Sequence, residues 1–87
     1  MKTLESNKDL YDYLECLKSR LKERALASLT DAVAFAISQA SSSSTEFLGE
    51  SKIALGRVAK EEQGVLTDQE RSDLSDVLKQ LEKALNR

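Results

Sequence analysis

The chain has 87 residues, 15 acidic and 13 basic, for a net charge of −2, and it contains no histidine, proline or tryptophan. That length makes one domain, and the near-balanced charge gives no general attraction to nucleic acid or anionic lipid. The absence of histidine removes the commonest acid–base group and the usual metal ligand.

The first 48 residues hold neither Gly nor Pro, so nothing in them stops a helix. Ser6 or Asn7 can cap its start, with Asp9 in the first turn against the positive end of the helix dipole. Apolar residues then recur as Leu10, Leu14, Leu17, Leu21, Ala25, Leu29, Ala32 or Val33, Ala36 and Ala40. The mean step of about 3.75 residues makes a nearly straight, continuous stripe on a helix. The spacing therefore predicts a single long helix over about 7–40. Its second half carries the apolar run Ala32-Val33-Ala34-Phe35-Ala36-Ile37, where Val33, Phe35 and Ile37 add surface that needs cover from more than one direction.

Ser41 to Ser44 form a serine-rich turn, since serine competes for backbone groups inside a helix and caps one well. Ser43 with Glu46 reads as a capping box opening a second helix over about 44–62. That helix is expected to bury Phe47, Leu48, Leu55, Val58 and Ala59. Gly49 and Gly56 share a face, and in an antiparallel hairpin Gly49 falls near Ala36, Ile53 near Ala32 and Gly56 near Leu29. Small residues would face small residues, allowing close approach. Gly64 ends the second helix as a cap. Thr67 and Glu70 form a second box, with Asp68 beside it, opening a third helix over about 68–86 on a seam of Leu74, Val77, Leu78, Leu81, Ala84 and Leu85.

A helix of about 34 residues is roughly 50 Å long, about twice each of the others. The second helix returns only to about residue 23, leaving Leu10, Leu14, Leu17 and Leu21 uncovered, with Tyr11 and Tyr13 beside them. Soluble monomers avoid such a patch. The expectation is an all-α, three-helix protein forming a homodimeric, coiled-coil-like bundle through these six residues. The alternatives are a break near 27–31, capped by Ser28 or Thr30, that folds 7–25 back as a fourth helix, or a different protein on the stripe.

Chemistry is sparse. There is no glycine-rich phosphate loop and no calcium loop pattern. Cys16 is the only cysteine and reads as a packing residue, with Lys18 and Arg20 as its nearest cations. Lys18, Arg20, Lys22 and Arg24 spread around the helix as a solvated face does, without aromatic residues for base stacking. Asp68, Glu70, Asp73 and Asp76 sit in the first turns of the third helix, where they offset its dipole. The run 32–37 is too short to span a bilayer, and Met1 to Leu10 lack the apolar segment of a secretory signal. The expected function is a cytoplasmic, non-enzymatic protein–protein interaction module of adaptor, chaperone or regulatory-subunit type, without cofactor or metal. A DNA-binding regulator or antitoxin-like protein using residues 18–24 is the alternative.

Overall fold

The stretch expected as one helix over 7–40 is helical, but in two pieces. The computed structural model describes residues 6–61, 64 and 66–85, and these form four α-helices and no strand. α1 spans Asn7–Glu23, α2 Ala27–Ser38, α3 Ser44–Glu61 and α4 Asp68–Leu85, with a 3₁₀ turn at Gln39–Ser41 after α2. The expected three-helix protein with a continuous helix over 7–40 is thus corrected to four helices. The longest dimension is 33 Å, whereas the unbroken helix would need roughly 50 Å.

The break lies at 24–26, ahead of the 27–31 window that the sequence suggested. Ala25 has φ 59°, the only positive value at a described non-glycine residue. Its N–H donates to the Lys22 carbonyl at 3.0 Å, and the Leu26 N–H reaches back to the Leu21 carbonyl at 3.0 Å. These two bonds make a Schellman turn, and Leu26 packs onto the core as such turns favour. Glycine usually takes the left-handed position; alanine there costs about 1 kcal/mol. Burying a leucine contributes about 1.5–3 kcal/mol. Folding back buries Leu10, Leu14, Leu17 and Leu21, all between 0 and 4% exposed, so packing overrides the local preference. Neither Ser28 nor Thr30 caps α2: its N-cap is Leu26, without a side-chain bond, and the Thr30 hydroxyl donates to the Leu26 carbonyl at 2.9 Å.

The starts of α1, α3 and α4 follow their sequence signals. Ser6 caps α1 by accepting from the Asp9 N–H. The Ser43 hydroxyl accepts from the Glu46 N–H at 3.2 Å. At α4 the box is complete: Thr67 Oγ1 accepts from the Glu70 N–H at 3.1 Å, and Glu70 Oε1 accepts from the Thr67 N–H at 2.9 Å. The serine-rich turn expected at 41–44 is the 3₁₀ turn with Ser42 and Ser43 behind it; Ser44 already begins α3. The Gly64 cap depends on residues 62, 63 and 65, which lie outside the described residues.

Consecutive helices pack on one another, α1 on α2, α2 on α3 and α3 on α4, around one core with leucines or valines from all four. The α2–α3 hairpin has the expected register: Arg57 Nη2 donates to Ser28 Oγ at 3.2 Å, and Ala32 and Ile53 line one groove. The glycines do not serve as expected, however. A Cβ added at Gly49 or Gly56 would meet nothing within 4 Å, so neither permits a close approach. No described helix is long and apolar enough to cross a membrane.

Candidate functional site

The leucine stripe expected to face a second copy is interior. Leu10, Leu14, Leu17 and Leu21 belong to the single chain's core, which removes the reason for placing a second copy against them. Of the two tyrosines named with them, Tyr11 is 38% exposed, and Tyr13 packs partly buried against the core. Burial pushes the Tyr13 phenol above its ordinary range, with the negative charges of Asp73 and Glu70 adding to the rise and Arg20 opposing it.

Much of the basic run at 18–24 is occupied within the chain. Arg24 donates from both terminal nitrogens to Glu70, at 2.9 Å to Oε1 and 3.1 Å to Oε2. Arg20 approaches Glu70 Oε2 at 3.4 Å, and Lys18 approaches Glu15 at 3.6 Å. The Arg24 hydrogen bond and then the Thr67 N–H hold the Glu70 carboxyl below the usual carboxylate range. This cluster ties the end of α1 to the start of α4. Cys16 is exposed on α1. Among the described residues, no three of Cys, Asp and Glu gather into a metal-binding set.

The exposed apolar surface lies instead on the α2–α3 face. Phe35 on α2 and Ile53 on α3 are 55% and 61% exposed, the most exposed large hydrophobic residues described. They flank a groove of about 400 Å³ floored by Ala32 and Ala54. The local cause is the six-residue apolar run on α2. α2 fully buries only the stripe Leu29, Val33 and Ala36 between its two neighbours; Ala32 and Ile37 are partly covered, and Phe35 is left outside. In the antiparallel register Phe35 lies opposite Glu50, so Ile53 is one turn further along.

Charge frames the groove. Asp31 and Glu50 stand on its border, and Arg57 completes the lining. The Arg57 guanidinium is directed to Glu61 at 3.1 Å and to Ser28, which leaves the border acidic in character. A second hollow, of about 290 Å³ between α3 and α4, is lined by Leu66, Leu74 and Leu78; none of these is strongly exposed. The sequence contained the signal for Phe35, as an apolar residue off the stripe. For Ile53 the sequence indicated a place near Ala32, and it was not among the residues expected to be buried; its exposure follows from that register. No protein-family model, curated protein or solved structure matches this chain.

Proposed function

We propose that the chain is a small, non-enzymatic protein–protein interaction module whose docking face is the α2–α3 groove and whose partner is an amphipathic helix with basic flanks. The observation that supports this most directly is the pair Phe35 and Ile53, held more than half exposed on either side of one groove. Rigid apolar anchors beside a groove between two helices suit helix-in-groove recognition. The lining runs from Ser28 to Phe35 and from Glu50 to Arg57, which is two helical turns, or roughly 10 Å. Burying the remaining half of each anchor contributes about 1 kcal/mol apiece. Specificity and speed then come from charge: Asp31 and Glu50 attract Lys or Arg on the incoming helix, an effect that weakens with salt.

The test uses helical peptides with a Leu/Ile stripe at i, i+3, i+4 and i+7, flanked either by Lys or by Glu. Chemical-shift mapping should place the Lys-flanked peptide on residues 28–35 and 50–57. Phe35→Ser should weaken it about tenfold, and the Glu-flanked peptide should bind more weakly. Shifts that map elsewhere, or indifference to Phe35→Ser, would remove the α2–α3 face as the docking site.

A further inference from the structure

We propose that the α1–α2 connection is a hinge, and that its opening exchanges α1 between two copies of the chain. The closed turn conflicts with its own sequence. Ala25 occupies the left-handed region at φ 59°, a conformation that a side chain disfavours. The N-cap of α2, Leu26, offers no side-chain hydrogen bond, so the N–H groups of Ala27, Ser28 and Leu29 start the helix with no help from that residue. The sequence through the turn, Arg20-Leu21-Lys22-Glu23-Arg24-Ala25-Leu26-Ala27, consists of strong helix formers. Straightening would relax Ala25 and give those three N–H groups the carbonyls of Glu23, Arg24 and Ala25.

The open form keeps the apolar pattern. Leu10, Leu14, Leu17 and Leu21 of α1 and Leu29, Val33 and Ala36 of α2 follow one slowly turning stripe when the two helices are joined. A straightened chain leaves the place of α1 vacant on its own body and presents α1 away from it. The occupant that fits the vacancy is the α1 of a second copy, because the contacts that α1 makes with the rest of the closed chain, away from the turn, are then remade across two chains. These include the Asn7–Ser44 hydrogen bond of 2.9 Å. Closed and exchanged forms share their core and differ mainly at the hinge, the condition under which strained short connections favour exchange. The α2–α3 groove is intact in both forms, so this inference stands apart from the docking proposal.

The test places Asn7→Cys and Ser44→Cys together in a Cys16→Ser background, joined by a short bismaleimide after refolding from urea over a dilution series. Asn7 and Ser44 are both exposed, so the variant should fold. In the closed chain the link is internal and the product runs as a monomer; in the exchanged form the link joins two chains. The covalent dimer should increase with protein concentration. Ala25→Gly, which eases the closed turn and weakens the open helix, should raise the dissociation constant on the order of a hundredfold, from two hinges each shifted roughly tenfold. Monomer alone at every concentration, a dimer whose links remain internal, or a dimer fraction unmoved by Ala25→Gly would each overturn the proposal.

Discussion

Arg24 grips both carboxylate oxygens of Glu70, at 2.9 and 3.1 Å, across 46 residues of sequence. Arg24 is the residue immediately before the left-handed Ala25, and Glu70 also closes the capping box of α4 through the Thr67 N–H. One side chain thus fixes the α1 turn and the α4 start together. Because Glu70 is only 9% exposed, Arg24, Arg20 and the Thr67 N–H supply what water would otherwise provide.

This arrangement gives stability a definite acid dependence. The folded Glu70 carboxyl lies below its ordinary range, through Arg24 first and Thr67 second. Its contribution is therefore full above the unfolded value of about 4.3 and is lost as pH falls through the lower folded value. Thermal melts of the wild type and Glu70→Gln should converge as pH drops below about 4. Parallel curves would mean that the ion pair contributes nothing to folding.

Tyr13 gives the alkaline counterpart. Its phenol is raised, first by burial, so its contribution holds below the unfolded value of about 10 and is lost as pH rises toward the higher folded one. Tyr13→Phe should flatten the loss of stability above pH of about 10. A Tyr13→Phe protein with an unchanged alkaline profile would place the titration elsewhere.

Gly49 and Gly56 should both accept alanine. A Cβ at either meets nothing within 4 Å, and each glycine sits inside α3, where alanine is favoured by about 1 kcal/mol. Chemical denaturation should show each single variant more stable by about that amount and the double variant by about 2 kcal/mol. Destabilisation would restore the close helix approach that the sequence suggested.

Ser51 offers a separate gain. It is fully buried in α3, and its hydroxyl has no hydrogen-bond partner among the described residues. Removing a buried unpaired hydroxyl recovers about 1–3 kcal/mol of desolvation, and alanine is also the better helix former. Ser51→Ala should unfold at higher denaturant. A loss of stability would show that the hydroxyl is bonded after all.

The starts of α1, α3 and α4, the α2–α3 register and most core positions were legible in the sequence, because they rest on local signals and on a short turn. Ser6, Ser43 and the Thr67/Glu70 pair cap through bonds that span three residues. The Ser28–Arg57 and Ala32–Ile53 pairings follow from counting back through one short turn. The turn at Ala25 was not legible, since its residues individually favour helix and only the burial of four leucines elsewhere makes the bend worthwhile. The same bend decides which residues are available to a partner. With a straight helix the leucines faced outward; with the bend they are interior, and Phe35 and Ile53 remain outside.

The bend at Ala25 decides the fold, and Ala25→Gly tests it in one urea titration at a concentration where the chain is monomeric. Glycine at a left-handed turn relieves the strain of a side chain, so the variant should be more stable than the wild type by about 0.5–1 kcal/mol. Within a continuous helix over 7–40 the same substitution would cost about 1 kcal/mol. A less stable Ala25→Gly protein would therefore contradict the four-helix fold.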